Sequence, residues 1–371
     1  MTGVGHYARE LIVRLPEVDP SSTYVAWYLN ARRLLRPWRW NRRFFPRRPN
    51  LVERWTPIPA TWFERASMRY EQPPLDRLIR FDVLWAPNFV PPPTRTRHLV
   101  LTVHDLAFRR FPDAAPAATR RWLTRLERAV RQAAEIIVPS GATRADLLDL
   151  YPVDAERVTV IHHGIDHRRF RPAPEAEVER VRRRYGIRGP YLLFVGGIEP
   201  RKNLPALLRA YAALPDDARP AMVLSGASVP WNPEGRNALT VALGRLPAAA
   251  RNGVILTGYV SDPNRTPLYT GAEALAFPTR YEGFGLPVLE AMACGTAVVT
   301  SNSSSLPEIA GDDAVLVDPD DDASIADGLR RVLEDDSLRD RLRRAGLVRA
   351  ARFTWHDAAR RHVEVLRRAA R

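Results

Sequence analysis

Short apolar runs alternate with longer amphipathic stretches along this whole chain, and this alternation limits the folds that it can adopt. Runs such as residues 191–195 and 274–277 have the length of buried strands, and the stretches between them have the period of helices that cover a sheet. Repeated strand–helix units form parallel sheets. At 371 residues the chain is too long for one ordinary core. The sequence therefore predicts an α/β protein with two doubly wound, Rossmann-like domains.

The strand pattern occurs twice, once in each half of the chain. We expect the strands of the first half at residues 24–28, 82–85, 99–103, 136–138 and 158–161, with helices that include residues 115–133 and 142–150. We expect those of the second half at residues 191–195, 222–224, 254–256, 274–277, 297–299 and 314–317. Pro172 and Pro174 interrupt the pattern between the halves. The predicted division is a first domain over residues 1–172, a second over 173–354 and a last helix over 355–371 that packs back across the junction.

The N-terminus departs from this pattern. Gly3-Val4-Gly5 predicts a glycine-rich turn that opens into a helix over residues 7–15, yet no strand precedes the turn. Such a turn normally follows the first strand of a βαβ unit, which is central in the sheet. The first domain is therefore expected to lack its first strand, and a misplaced start codon or a trimmed chain would explain this.

Two broad classes of protein are not supported by the sequence. The longest apolar stretches, such as residues 99–103 and 272–277, are far shorter than the roughly 20 residues that span a bilayer. The first residues do not resemble a secretory signal. Cys294 is the only cysteine, so no internal disulfide can form and a reducing, cytoplasmic location is expected. We expect Cys294 to be packed in a helix and unreactive.

The formal net charge of +14 favours an anionic partner. Much of this charge lies between Arg32 and Trp55, where arginines are mixed with tryptophan and phenylalanine. Such a mixture suits an anionic membrane surface, because the arginines meet the headgroups while the rings enter the interface. We expect peripheral contact with the inner face of the cell membrane here, and a solvated arginine-rich loop is the competing interpretation. Because no nucleic-acid motif accompanies the segment, no nucleic-acid partner is expected.

Lys202 is the only lysine in a chain that carries 55 arginines. It stands beside Arg201, shortly after a predicted strand and the glycine pair Gly196 and Gly197. A strand, a glycine turn, two cations and then a helix form the usual layout of a phosphate site. A compact ammonium next to a guanidinium suits the same ligand. The pair therefore predicts phosphate binding, although a surface turn could also hold a lysine.

Two glutamates eight residues apart, Glu282 and Glu290, frame a second candidate site. Gly283 and Gly285 between them would let the backbone approach a ligand closely. A helix is expected to begin at Leu286, so that its free amides and positive dipole end would meet an anion. Glu282 would then lie in the loop and Glu290 within the helix, on one side of a crevice. A solvated loop and a salt bridge would explain either glutamate alone, but not the whole pattern.

These motifs together resemble a known family. The runs that carry the resemblance are Gly-Ile-Glu-Pro-Arg-Lys-Asn from Gly197, Gly-Tyr-Val-Ser-Asp from Gly258, Glu-Gly-Phe-Gly-Leu-Pro-Val-Leu-Glu-Ala-Met-Ala-Cys-Gly-Thr from Glu282, Ser-Ser-Leu-Pro-Glu from Ser304, and in the first half Gly3-Val4-Gly5, His104-Asp105 and Val138-Pro139-Ser140. The sequence resembles the family 4 retaining glycosyltransferases, and most of all their O-antigen mannosyltransferase branch. This family has the GT-B fold, in which two Rossmann-like domains enclose a cleft.

The resemblance implies where a nucleotide-sugar donor binds. Most contacts are expected on the second domain: the diphosphate on Arg201 and Lys202 beside Gly196 and Gly197, the ribose hydroxyls on Glu290, the transferred sugar and its phosphate on Glu282, Gly283 and the amides of Phe284, Gly285 and Leu286, and the base near Tyr259 and Val260. The first domain, on the acceptor side, would bring Gly5 to the diphosphate and His104 to the donor sugar. The expected catalytic residues are His104, Glu282, Arg201 and Lys202.

The same resemblance implies retaining transfer of a hexose. We expect mannose from GDP-mannose, moved to a glycan or polyprenyl-linked acceptor in cell-surface polysaccharide synthesis, and a UDP-glucose or UDP-galactose donor is the alternative. Front-face attack needs no nucleophile from the enzyme, so we interpret Glu282 as a positioning group. Two cations and a helix N-terminus can stabilise the leaving diphosphate. No metal and no other cofactor is therefore expected.

Other features and other classes are less consistent with the sequence. Asp320-Asp321-Asp322 predicts a helix cap, and His162 and His163 lack a third ligand at the spacing of a metal site. A pyridoxal-dependent phosphorylase would need Lys202 as its Schiff-base lysine, but the neighbouring Arg201 suits a phosphate instead. A non-catalytic nucleotide-sugar-binding protein is the remaining alternative.

Overall fold

The computed structural model describes residues 3–29, 44–59, 61–63, 65–66, 72–112, 119–226 and 233–371. Much of the predicted membrane-contacting segment, from Arg32 to Arg43, lies outside the described residues. The first residues of the predicted helix 115–133 lie outside them as well. None of the described helices is long and apolar enough to cross a membrane.

The first half of the chain forms two parallel sheets. Its strands are β1 (Tyr24–Leu29), β2 (Leu51–Thr56), β3 (Leu84–Ala86), β4 (Leu99–Thr102), β5 (Glu135–Val138) and β6 (Val158–Val160). The strand order is β3-β4-β5-β6 in one sheet and β1-β2 in the other. All four residues of β4 are buried, as expected of a parallel strand whose two faces are covered by helices.

Helices cover these strands and connect them. They are α1 (Gly3–Val18), α2 (Ala107–Arg110), α3 (Thr119–Gln132) and α4 (Gly141–Leu150). Ser140 caps α4, because its hydroxyl accepts a hydrogen bond from the Thr143 amide at 3.1 Å. The Val-Pro-Ser motif therefore ends a strand and begins a helix at the edge of the sheet.

The second half forms one six-stranded parallel sheet. Its strands are β7 (Tyr191–Val195), β8 (Ala221–Ser225), β9 (Val254–Gly258), β10 (Ala274–Phe277), β11 (Ala297–Ser301) and β12 (Val315–Val317). Their order is β12-β11-β10-β7-β8-β9. The chain therefore builds outward from β7 in one direction and then crosses to β10 to build in the other. Strand order reverses between β7 and β10, and the loops that follow these strands diverge there.

The helices of the second half lie on this sheet and beyond it. They are α5 (Glu175–Tyr185), α6 (Leu204–Ala212), α7 (Pro233–Gly244), α8 (Ala248–Asn252), α9 (Asp262–Thr270), α10 (Leu286–Ala293), α11 (Leu306–Ala310), α12 (Asp322–Glu334), α13 (Asp336–Ala350) and α14 (Trp355–Ala369). Asp321 caps α12 by accepting from the Ala323 amide, so the predicted role of the aspartate triplet is confirmed. Cys294 is fully buried at the end of α10, also as predicted.

Helix α14 packs on the first half of the chain. Its Trp355 and Val363 share a hydrophobic cluster with Tyr7 and Leu11 of α1. Where the chain crosses, Ile165 forms a parallel bridge with Thr354. The last helix thus joins the core of the first half, while the domain boundary near residue 172 stays a prediction.

The α/β class and the two doubly wound units are confirmed, whereas one strand was not predicted and one local prediction is wrong. The sequence does not predict β2, because Glu53 and Arg54 interrupt its apolar pattern. It pairs in parallel register with β1, with Tyr24 opposite Leu51. The predicted turn Gly3-Val4-Gly5 is instead the first turn of α1. Glycine is tolerated there because the first amides of a helix have no intrahelical acceptor.

Candidate active site

The predicted catalytic residues lie at one crevice between the two units. Open α/β sheets bind ligands at the carboxyl ends of their strands, where the strand order reverses. In the second sheet that point lies between β7 and β10. The loop after β7 carries Arg201 and Lys202, and the loop after β10 carries Glu282. His104 follows β4 of the first unit and meets the Glu282 loop across the crevice.

Arg201 and Lys202 converge on Glu282. Lys202 Nζ lies 2.5 Å and Arg201 Nη1 lies 3.0 Å from the same Oε1 atom of Glu282. Lys202 and Glu282 are both buried. Burial alone would raise the pKa of Glu282, but the charges of Lys202 and Arg201 outweigh burial and hold this pKa below its ordinary value. Glu282 is therefore ionised and holds two cations in the crevice.

The local fold explains how these cations are positioned. After β7 the chain passes Gly196 and the half-buried Gly197 and then makes a 3-10 turn, Pro200–Lys202. Asn203 follows with a left-handed φ of 56°, which asparagine tolerates better than most residues. The side-chain nitrogen of Asn203, Nδ2, donates to the Pro278 carbonyl at 3.2 Å. This bond ties the turn after β7 to the loop after β10, so both loops are held together.

Helix α10 begins at Leu286, as predicted, and leaves donors in the crevice. Gly285 has a φ of 100°, and a Cβ atom there would lie 2.8 Å from Leu306, so only glycine fits without strain. Within the described residues, no acceptor is recorded for the amides of Phe284, Gly285 and Leu286. Three amides and the positive end of α10 therefore accompany the two cations, an arrangement that suits an anion.

The first turn of α1 approaches the same point from the other unit. A Cβ atom at Gly3 would lie 4.0 Å from the side chain of Leu286. Gly5 is therefore within the turn of α1 that faces the start of α10. Two helix N-termini meet at the crevice, which fits the predicted approach of Gly5 to a diphosphate. That contact stays a prediction.

Position 283 requires a glycine for a structural reason that the sequence does not reveal. A Cβ atom at Gly283 would lie 2.0 Å from the His104 carbonyl oxygen. A close approach is thus made to the protein's own backbone, and the contact of Gly283 with a ligand stays a prediction. Ser140 Oγ and Thr143 Oγ1 donate to the Gly283 carbonyl at 2.7 and 3.1 Å. The Glu282 loop is therefore fastened to the first unit.

Glu290 lies within α10, as predicted, and its side chain is buried. Arg265 Nη2 and the Tyr269 hydroxyl approach its Oε2 atom at 2.5 and 2.8 Å. Among the described residues, no donor is recorded for the other oxygen, Oε1. Glu290 is thus oriented by two neighbours and keeps one oxygen for a further donor.

His104 is held in its neutral form. Its Nε2 atom lies 2.7 Å from the Pro87 carbonyl, and because a carbonyl only accepts, this nitrogen carries the hydrogen. Burial lowers the pKa of His104 to about 4, and the bond to Pro87 offsets part of the effect. The ring packs edge-on against Tyr7, with 4.8 Å between centroids. Nδ1 of His104 can therefore act only as an acceptor at neutral pH.

The predicted base site joins an exposed residue to a buried one. Tyr259 is 74% exposed, so its ring is open to a stacking partner. Val260 is 3% exposed and belongs to the core of the second unit. The Val260 side chain points into the core, so a base near Val260 would meet its backbone, and the base site stays a prediction.

Several residues of the crevice were not predicted as site residues. The Tyr281 hydroxyl donates to Asp146 at 2.7 Å and accepts from the Leu106 amide at 3.1 Å, which joins the two units. Burial raises the pKa of Asp105, although the Arg201 charge opposes this. A Cβ atom at Gly283 would lie 2.8 Å from the Asp105 Cβ. The only signal in the sequence was that Asp105 and Tyr281 adjoin His104 and Glu282.

A second contact between the units involves Glu308 of the Ser-Ser-Leu-Pro-Glu motif. Its carboxylate accepts from the Gly141 amide at 2.8 Å and contacts His162 Nε2 at 2.6 Å. Burial would raise the pKa of Glu308, but these two partners hold the pKa below its ordinary value.

In the part of the chain that the structure describes, no three His, Cys, Asp or Glu residues are placed to hold a metal ion.

Fold and site together define a class of protein. Two parallel α/β units enclose a crevice, and cations and helix amides from the second unit provide an anion site at its switch point. This is the design of a two-domain enzyme that binds a phosphorylated ligand between its domains.

Comparison with known proteins identifies the family. The family described as Glycosyltransferase Family 4 matches residues 1–169, and Glycosyl transferases group 1 matches residues 177–349. The chain is 31% identical to O-antigen chain mannosyltransferase B of Escherichia coli over 96% of its own length and 93% of that relative. It belongs to the family 4 glycosyltransferases. The enzyme is therefore a glycosyltransferase, a class that uses a nucleotide-sugar donor and a glycan acceptor.

Solved structures share its GT-B fold. Sucrose-phosphate synthase from Thermosynechococcus elongatus superposes with a TM-score of 0.71 at 21% identity, covering 99% of this chain and 94% of that one. HepE from Anabaena, solved in complex with UDP and glucose, gives a TM-score of 0.67 at 18% identity, covering 93% and 100% of the two chains. At these identities the likeness concerns the fold alone.

Proposed function

We propose that this enzyme is a retaining mannosyltransferase that moves mannose from GDP-mannose to a glycan or polyprenyl-linked acceptor in cell-surface polysaccharide synthesis. The proposal is supported by the Escherichia coli relative, whose name is O-antigen chain mannosyltransferase B and which aligns over nearly the whole of both chains. The crevice supports the reaction type, and the relative supports the choice of sugar.

The observation that carries the proposal is the set of donors beside Glu282. Arg201, Lys202 and the amides at the start of α10 adjoin one another in the crevice. As the bond between sugar C1 and the donor phosphate oxygen breaks, negative charge grows on the leaving nucleoside diphosphate. Preorganised cations and amides stabilise that charge in the transition state. This supports leaving-group stabilisation by the protein itself, with no metal required.

The remaining residues position the donor in this proposal. Oε1 of Glu290 accepts from the ribose hydroxyls, and neutral His104 accepts from a hydroxyl of the donor sugar through Nδ1. Glu282 orients both cations and the sugar. The acceptor hydroxyl attacks C1 from the side of the leaving group, and its proton passes to a donor phosphate oxygen. No nucleophile of the enzyme takes part, so the anomeric configuration is retained.

A thermal-shift panel tests the donor. GDP, UDP, ADP, GDP-mannose and UDP-glucose are each added without metal and then with magnesium. A ligand at 100 times its dissociation constant stabilises a fold by about 2.7 kcal/mol. The proposal expects a metal-independent shift with the GDP compounds alone. A preference for UDP would keep the mechanism and replace the sugar, whereas the absence of any shift would favour a non-catalytic protein.

We also propose that the segment from Arg32 to Trp55 contacts anionic lipid at the inner face of the cell membrane. In the described part of this segment, the Phe44 side chain is 62% exposed. Trp62, which follows the segment in the chain, is 72% exposed. Serine at four of the arginines between Arg32 and Arg48 should reduce sedimentation with anionic vesicles and leave binding to neutral vesicles unchanged. Equal binding of both proteins to anionic vesicles would return the segment to a solvated loop.

A further inference from the structure

A pocket of about 220 Å³ lies where the chain returns from the second unit to the first, separate from the crevice. It is formed by the residues after β6, the end of α13 and the start of α14. Its lining includes His163, Arg349, Arg352, Thr354, Asp357 and Arg361. None of them was assigned to the donor site.

Three arginines bring uncompensated positive charge to this pocket. Arg349, Arg352 and Arg361 form no ion pair with any residue of the described ranges. The single acidic residue of the lining, Asp357, already pairs with Arg360 at 2.7 Å. The nearby carboxylate of Glu308 is engaged by His162 and a backbone amide. The pocket therefore carries excess positive charge within the fold.

Two of the arginines are fixed in place by neutral acceptors. Arg349 donates to the carbonyls of Ile309 and Glu308 at 2.9 and 2.6 Å. Arg361 donates to the Val160 carbonyl at 2.7 Å. Carbonyl oxygens orient a guanidinium but do not neutralise its charge. Like charges held near one another repel, and an anion in the pocket would reverse this cost.

The pocket also offers donors that are not arginines. Helix α14 begins at its edge, with Thr354 as the cap, so the positive end of a 15-residue helix dipole adds to the field. His163 is 6% exposed, and in the described part of the chain its Nδ1 has no hydrogen-bond partner. Buried polar atoms are normally paired. An acceptor bound in the pocket would pair with this nitrogen in the tautomer that carries the ring hydrogen on Nδ1.

We propose that this pocket binds a phosphate group, supplied by inorganic phosphate or by a small phosphomonoester. Guanidinium forks match phosphate oxygens in geometry and charge. A phosphate held here joins the end of β6 in the first unit to the corner between α13 and α14. The bound anion thus stabilises the crossing by which Ile165 and Thr354 connect the two units.

Calorimetric titration tests the proposal in the whole protein. Sodium phosphate and glycerol 3-phosphate are titrated separately after the donor site has been filled with the nucleoside diphosphate that gives the largest thermal shift. If no nucleotide binds, the titrations are made directly, so failure of the proposed function does not decide this one. Arg352→Ser is the test variant, because Arg352 is exposed and its side chain makes no hydrogen bond or ion pair within the described residues, where only its backbone amide is bonded, to the Arg349 carbonyl. Arg344→Ser, an exposed arginine of α13 outside the pocket, is the control.

We expect wild type and R344S to bind phosphate equally and R352S to bind it roughly tenfold more weakly. Binding of glycerol 3-phosphate alone would identify a phosphomonoester as the ligand, and binding of both would identify the phosphate group. A crystal soaked in selenate should show its anomalous peak among the three arginines. Equal affinity of R352S and wild type would overturn the proposal. So would binding that saturates only far above millimolar phosphate, which would indicate an adventitious ion only.

Discussion

Lys202 and Arg201 both pair with one oxygen of Glu282, so Lys202 can be removed without leaving this carboxylate unpaired. Replacing Lys202 with alanine leaves Arg201 to compensate the buried carboxylate, so the fold should persist. The leaving diphosphate loses one of its two cations in the transition state. We expect kcat to fall roughly a hundredfold or more, measured by steady-state release of the nucleoside diphosphate. Arg209→Ala, on the exposed face of α6, serves as the control, and near wild-type turnover of K202A would contradict the role.

Glu290 offers a test of donor binding without loss of shape. Glu290→Gln keeps the size of the side chain but removes the charge that Arg265 and the ribose hydroxyls would share. Hydrogen bonds to a charged group contribute about 1.5–3 kcal/mol, so nucleotide affinity should fall by roughly tenfold or more. Glu334→Gln, an exposed glutamate of α12, changes the net charge equally. Unchanged nucleotide affinity of E290Q in a calorimetric titration would exclude the ribose contact.

At the residue scale, the sequence predicts which side chains take part in the chemistry better than it predicts where a side chain points. The rarity of lysine and the spacing of the two glutamates were enough to select Lys202, Glu282 and Glu290. The structure pairs Lys202 with Glu282 at the crevice and places Glu290 in the helix that begins there. The burial of Val260 was not predicted, because a loop position does not reveal which way a side chain points. The close approach of Gly283 to the His104 backbone was not predictable, because the two residues are 179 positions apart in the chain.

At the element scale, the strands were predictable because parallel strands are buried on both faces. Runs such as β7 and β10 are therefore continuously apolar, and their observed bounds equal the predicted ones. Strand β2 lacks this signal, because Glu53 and Arg54 interrupt its apolar run and only Leu51 is fully buried. Its pairing with β1 depends on a register that the local sequence does not encode. The strand was missed for that reason.

The turn into α10 depends on a single glycine. Gly285→Ala would place a Cβ at a φ of 100° and 2.8 Å from Leu306. Left-handed backbone costs a non-glycine residue about 1–2 kcal/mol, and the clash adds to this. We expect the free energy of unfolding to fall by at least that amount, and nucleotide affinity to fall as the start of α10 shifts. Both are measured, by denaturant titration and by calorimetry.

Gly244→Ala provides the matched control at the end of α7. Gly244 has no left-handed φ, and a Cβ atom there would meet open space. Alanine has a higher helix propensity than glycine by about 1 kcal/mol. The control should therefore be neutral or slightly stabilising and leave nucleotide affinity unchanged. Equal stability of G285A and wild type would show that the turn does not need its glycine.

At the scale of the whole molecule, two units and a crevice follow from the repeated strand pattern. The packing interface between α1 and α14, here termed the seam, does not. Helix α14 brings His362 into the cluster around Tyr7, more than 350 positions away in the chain. No local pattern predicts such a contact. It depends on the path of the chain after α13, which only the packing of both units determines.

A continuous hydrogen-bond chain crosses this seam. Trp85 Nε1 donates to the Thr102 hydroxyl at 3.0 Å, and that hydroxyl lies 3.1 Å from the Tyr7 hydroxyl. Tyr7 in turn lies 2.6 Å from His362 Nε2, while Nδ1 of His362 lies 2.6 Å from the Ala358 carbonyl. Because the indole only donates and the carbonyl only accepts, the chain is satisfied when His362 is neutral with its hydrogen on Nδ1.

The seam should therefore make the enzyme sensitive to acid. Burial lowers the pKa of His362 to about 4, against 6.5 in the unfolded chain, so the unfolded state binds more protons between these values and stability falls as pH decreases from 6.5 to 4. The loss from this histidine approaches roughly 3 kcal/mol. His362→Gln cannot take up a proton, and its unfolding free energy should fall less over this pH range than that of wild type or of the exposed control His356→Gln. Parallel pH profiles of all three proteins in denaturant titrations would place the acid sensitivity elsewhere in the molecule.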